Sequence, residues 1–316
     1  MEDYDIVVVG GGPAGLCAGL YAGRAKLKTV VLEKGVPGGQ IVNTGCVEDY
    51  PGIEEIMGPE LALKMEEHCK KFGAEIHQEE VLEVYCDGED RITRTDENEY
   101  RSKVVILSAG GSPIYLEIPG EKEYWGKGVS YCAICDGAFF QDQVIAVVGG
   151  GDAAVEEGHF LTKYGSKVPI IHRRDQLRAQ KIIQERAFNE EKIEFVWDTV
   201  VEEIVGDGRE VKHLKLKNLK TGESRQMDVG GVFIFIGFTP NSGLVREHLD
   251  QDENGYYLTD HTMQTNIKGI YAVGDVRTQV ARQLTTAVGD ATTAAVAAEK
   301  YIESLQENKA ASTTQV

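Results

Sequence analysis

No apolar run in these 316 residues approaches the roughly 20 needed to cross a bilayer. Positive charge is scarce: 33 Lys and Arg stand against 51 Asp and Glu, a net charge of −18 and a pI near 4.9. Nucleic acid and anionic membrane would both be repelled by such a surface, so neither is expected as a partner. The segment Met1-Glu2-Asp3-Tyr4 is acidic and leads straight into a strand, unlike a signal peptide, which predicts a cytoplasmic protein. Six cysteines are present, but no second Cys/His pair stands at zinc-ligand spacing, and no metal is expected. Cys17, Cys46, Cys69 and Cys86 read as small buried hydrophobes in a reducing compartment.

What is there begins with Cys132-Ala133-Ile134-Cys135-Asp136. A Cys-x-x-Cys pair can close a small reducible disulfide, and the motif lowers the pKa of one thiol so that it attacks other disulfides. Asp136 is a candidate general acid for a departing thiolate, with a turn residue before Gly137 as the alternative.

The dithiol lies between two similar glycine turns, VVGGGPAG at 8–15 and VVGGGDAA at 147–154. Each follows a β-branched run (4–9 and 143–148) and opens a helix (through about Ala25, and over 152–164). A second strand follows in each case, at 28–32 and at 167–171. These are two βαβ dinucleotide units, Gly10 and Gly149 standing 139 residues apart. Gly10, Gly12, Pro13, Ala14 and Gly15 would form the first pyrophosphate cradle. Gly149, Gly151, Asp152, Ala153 and Ala154 would form the second, Ala154 replacing the third glycine.

The residue 23 positions after each first glycine separates the two ligands. In the first unit it is Glu33, a carboxylate that would bond a ribose hydroxyl and repel a 2′-phosphate, which fits FAD or NAD, with FAD expected here once the second site takes NADPH. In the second it is His172, followed by Arg173, Arg174 and Arg178. Three guanidiniums suit a dianionic phosphate, so this site should take NADPH.

A helix is expected over about 59–72, strands at 103–107, 231–236 and 270–273, and an Ala-rich helix over about 287–305 before a frayed tail. The strand at 270–273 has no place in the second unit. The fold class is therefore α/β with two Rossmann-like domains, the NADPH domain inserted into the FAD domain. The expected boundaries are 1–116 and 244–316 for FAD, and 117–243 for NADPH and the dithiol. Gly274-Asp275 would approach the flavin's ribityl or pyrophosphate region.

With these motifs GGQ at 38–40, GVSYCAICDG, HRRDQLR, GVFIFIGFTPN, GIYAVGD and Arg282-Gln283, the chain resembles the bacterial-type, low-molecular-weight thioredoxin reductases from end to end. The resemblance implies a homodimer that passes hydride from NADPH to FAD and on to the dithiol, which reduces thioredoxin. Cys135 would face the flavin and Cys132 attack the substrate. Gly39, Gln40, Asn43, Asp49, Val81, Ala109, Gly110, Arg282, Gln283 and Leu284 would join the FAD site, Gly237 the nicotinamide site, and Lys127 and Phe139 the thioredoxin docking surface. Asp49 stands where the family has Asn, Ser108-Ala109-Gly110 replaces Ala-Thr-Gly, and Ala138 stands where an aromatic is common. A ferredoxin-driven thioredoxin reductase or a dithiol oxidase would not need HRRDQLR. A peroxiredoxin reductase would carry a further N-terminal domain.

Overall fold

The computed structural model describes residues 1–44 and 46–313. Chain contacts divide it into two compact units. The first holds residues 1–42, 46–112 and 239–316, and the second 43–45 and 113–238.

In the first unit five parallel strands lie in the order Ile270–Ala272, Val104–Leu107, Ile6–Val9, Thr29–Leu32, Glu75–His77. The middle three and Ile270–Ala272 are buried at every residue. That is why they read as unbroken Val/Ile/Leu runs, because a parallel sheet covered on both faces has no polar side to alternate with. Helices Pro13–Arg24 and Leu284–Thr313 share one core cluster on this sheet. Ala14, Ala18 and Ala22 meet Ala287, Ala291, Ala294 and Ala298 there, at the spacing that keeps them on one helical face. The small side chains let the two helices approach closely. A smaller sheet, Glu2–Asp3, Glu99–Ser102, Asp90–Thr95, Val81–Asp87, completes the unit.

The second unit repeats the plan. Its parallel order is Val129–Ser130, Gly231–Phe235, Ile145–Gly149, Val168–Ile171, Ile193–Val196. Helices Asp152–Leu161 and Lys181–Phe188 belong to it. An antiparallel sheet, Thr199–Gly206, Val211–Asn218, Ser224–Asp228, is added. Apart from the short segment 43–45, the chain passes between the units at 112–113 and 238–239, and the strands there, Gly111–Pro113 and Phe238–Pro240, pair with each other.

The last helix differs from expectation. It begins at Leu284 and continues to Thr313 instead of ending near 305. Gln306, Glu307, Lys309, Ala310 and Ala311 are strong helix formers with no Gly or Pro among them, so polarity alone did not mark an end. Residues 314–316 of the expected tail lie outside the described residues.

Candidate active site

In the first unit, Ile6–Val9 delivers the chain to Gly10 at φ +103°, where a Cβ would collide with the Ser108 carbonyl. Only glycine fits such a place. Gly12 then caps the helix Pro13–Arg24 in extended conformation with no side-chain cap, and Pro13 occupies the first turn. The first-turn N–H groups are left for an anion. Glu33 is aimed at this turn: its Oε2 accepts the Gly11 N–H at 2.7 Å and its Oε1 the Gly35 N–H at 2.9 Å.

Two further glycines approach this turn. The backbone of Gly39 comes close to Gly12, and that of Gly274 close to Ala14. Gln40 Nε2 donates to the Gly111 carbonyl at 3.3 Å. Ala109 and Gly110 are held by Asn241, whose Nδ2 donates to the Ala109 carbonyl and whose N–H donates to that of Gly110. The Gly274 N–H donates to Asp290 Oδ2 at 3.2 Å, and Arg277 forms an ion pair with the same oxygen. Burial pushes the Asp275 carboxyl up, with Arg282 pulling it down and Asp290 adding to the rise. Arg282 is exposed, its guanidinium 4.0 Å over the Tyr256 ring, and Gln283 precedes Leu284, the first residue of the long helix. Val81 is buried at a strand start, whereas Asp49 is exposed on its loop. Asn43 groups with the second unit, its Oδ1 3.6 Å from Cys135 Sγ.

The second glycine turn follows the same logic. Gly149, at φ +151°, lies where a Cβ would strike the Phe235 carbonyl and Ala154. Gly151 caps Asp152–Leu161 without a side-chain bond. Asp152 Oδ1 accepts the Gln180 N–H at 2.6 Å, and Ala153 is exposed. Arg173, Arg174 and Arg178 are all exposed and have no acidic partner among the described residues. His172 is different. It is buried with its ring against Gly150, and its Nε2 lies 3.0 Å from the Gln176 carbonyl. Burial lowers its pKa, against the Gln176 bond, and the three arginines lower it further. The ring braces the turn from beneath. Gly237, at φ +124°, accepts the Ile114 N–H through its carbonyl at 2.9 Å.

In the same unit Cys132 and Cys135 form a disulfide, Cα to Cα 5.4 Å. Cys132 caps a single helical turn, Ala133–Asp136, and the Cys135 N–H points at its sulfur at 3.2 Å. Cys135 is exposed and Cys132 half-buried. Ser130 Oγ lies 2.6 Å from Asp136 Oδ2. Tyr131 donates its hydroxyl to Glu121, a buried carboxylate that also takes the Leu116 and Glu117 N–H groups. Lys127 and Phe139 are exposed, Phe139 at 75%. Cys17 and Cys69 are buried thiols, the latter pushed up to about 12 by burial. Cys86 is only half-buried, and the Cys46 side chain lies outside the described residues.

Sequence reading missed Ser108, Ser130, Glu121, Asn241, Arg277 and Asp290. Ser130 and Asn241 sit inside quoted motifs and were within reach. Ser108 Oγ donates to the Val9 and Gly10 carbonyls, far off in sequence, and Arg277 pairs with Asp290, whereas the Glu121 partners Leu116, Glu117 and Tyr131 are local.

Residues 4–291 match the model of the pyridine nucleotide-disulphide oxidoreductases. The chain belongs to that family. A thioredoxin reductase of Listeria innocua is 48% identical over 96% of this chain and 95% of its own length. One from Bacillus subtilis is 47% identical, with 96% of each chain covered. A solved Lactococcus lactis thioredoxin reductase superposes with a TM-score of 0.93 at 50% identity, covering 95% of this chain and 99% of its own. Oxidoreductase chemistry with FAD and NADPH comes with this membership.

Proposed function

We propose that the chain reduces the disulfide of thioredoxin with electrons from NADPH. The observation that carries this reading is the Cys132–Cys135 disulfide on the same unit as a glycine turn flanked by three unpaired arginines. The groups at the first turn suit FAD: first-turn N–H groups for a pyrophosphate and the Glu33 carboxylate to accept from a ribose hydroxyl, with Gln40, Asp275 and Arg282 as further contacts. Val81, Ala109, Gly110, Gln283 and Leu284 would complete that site. Gly149, Gly151 to Ala154, Gly237 and the arginines would hold NADPH, with His172 as the brace beneath the turn.

Bound together, FAD and NADPH supply hydride transfer and a two-electron relay to the disulfide. The protein's own part is thiol chemistry. Cys132, as thiolate, attacks a sulfur of the thioredoxin disulfide, and the departing thiolate takes a proton from Asp136. Cys135 then attacks Cys132 Sγ, freeing the second thioredoxin thiol and restoring the disulfide. Lys127 and Phe139 would meet the partner's surface beside the dithiol. The enzyme would act as a cytoplasmic homodimer. Its charge of −18 speaks against nucleic acid and membrane, and among the described residues no helix is long and apolar enough to cross a bilayer.

The test is stopped-flow flavin bleaching with NADPH and with NADH, followed by oxidised thioredoxin. Replacing Arg173 and Arg174 with Ala removes charge-assisted bonds worth roughly 1.5–3 kcal/mol each. The NADPH requirement should rise by about a hundredfold or more while NADH changes little, and thioredoxin should reoxidise the dithiol. Equal losses for both nucleotides, or no turnover with thioredoxin, would refute the reading.

A further inference from the structure

Ser130 ends the strand Val129–Ser130 and is 2% exposed. Its Oγ accepts the Cys132 N–H at 3.0 Å. Two acceptors lie within reach of its proton, Asp136 Oδ2 at 2.6 Å and the Cys132 carbonyl at 3.2 Å. A hydroxyl has one proton to give and two lone pairs to fill. The charge on Asp136 therefore decides where that proton goes. Facing a carboxylate, it takes the shorter, charge-assisted contact. Facing a protonated Asp136, the hydroxyl accepts the carboxyl O–H and turns its own proton to the Cys132 carbonyl. No buried group is orphaned in either state, which avoids the desolvation cost an unpaired partner would carry.

We propose that Ser130 is the positioning residue for the proton that Asp136 delivers, its hydroxyl reversing direction as that proton leaves and returns. The inference rests on the reading of Asp136 as the general acid. In the step itself a Cys132–S bond to the substrate forms and the substrate's S–S bond breaks. The departing thiolate takes the Asp136 proton, and the new carboxylate gains the Ser130 hydrogen bond. Solvent later returns the proton. Because the same hydroxyl accepts the Cys132 N–H, the acid and the nucleophile's backbone share one anchor.

The experiment follows Ser130→Ala, Asp136→Asn and the double variant, each loaded with FAD. It records kcat and KM for thioredoxin from pH 5.5 to 9, with NADPH-driven flavin bleaching as the reference. For Ser130→Ala, kcat should fall about tenfold, a fraction of what a general acid contributes, with KM little changed. The loss should exceed any loss in bleaching. The double variant should be no slower than Asp136→Asn. A kcat loss in Ser130→Ala no larger than its loss in bleaching, or losses that multiply in the double variant, would overturn the proposal. Should Asp136→Asn slow thioredoxin turnover no more than it slows bleaching, the reading of Asp136 itself would fall, and this inference with it.

Discussion

His172 illustrates how register can locate a residue without fixing the direction of its side chain. Its position, 23 after Gly149, marked it as a ligand contact beside three arginines. Its ring is buried against Gly150, while Arg173, Arg174 and Arg178 are exposed. Spacing located the residue, but the direction of its side chain depends on packing that spacing does not encode. The fold lowers the His172 pKa by burial. The unfolded chain therefore takes up the proton near the ordinary value of about 6.5 before the fold does. The stability this residue contributes is complete above that pH and is lost as pH falls through the lower folded value. The thermal midpoint should thus drop more steeply between pH 7.5 and 5.5 for the wild type than for His172→Gln. Parallel slopes in a melting series would assign the acid sensitivity elsewhere.

At the scale of elements, the Gly274–Asp275 turn depends on a helix that follows it. Asp290, on Leu284–Thr313, accepts from the Gly274 N–H and from Arg277, while Arg277 Nε donates to Thr259 at 2.9 Å. The paired side chains are 16% and 12% exposed, so solvent screens them weakly. Arg277→Met would leave the Asp290 charge uncompensated near Asp275. The expected cost is about 3 kcal/mol, with faster loss of FAD. Urea unfolding and flavin retention on gel filtration would measure both, and a cost below about 1 kcal/mol would contradict the assignment. The strands and both glycine turns were legible because buried parallel strands are continuous β-branched runs and the turns need glycine at fixed offsets. The Arg277–Asp290 clamp was not, since nothing in the sequence pairs positions across a helix start. The Glu121–Tyr131 bond was hidden because no motif or periodicity marks it, and the extension of the last helix because a polar helical stretch resembles a tail.

For the whole molecule, the argument turns on which chemistry shares a unit. The dithiol and the second glycine turn lie in one unit, Cys135 and Gly149 only 14 residues apart. On the proposed reading the flavin belongs to the other unit, and both the nicotinamide and Cys135 must reach it. Hydride transfer and thiol attack each need reacting atoms roughly 3–3.5 Å apart. If both compete for one face of the ring, no single arrangement serves both, and the units must rotate within each cycle. A covalent cross-link between the units, shown by mass spectrometry to be complete, should therefore preserve one half-reaction and block the other. Depending on the arrangement trapped, the surviving step would be flavin bleaching by NADPH or electron passage from reduced flavin to the dithiol. Undiminished turnover with thioredoxin in the fully cross-linked enzyme would show that one fixed arrangement suffices.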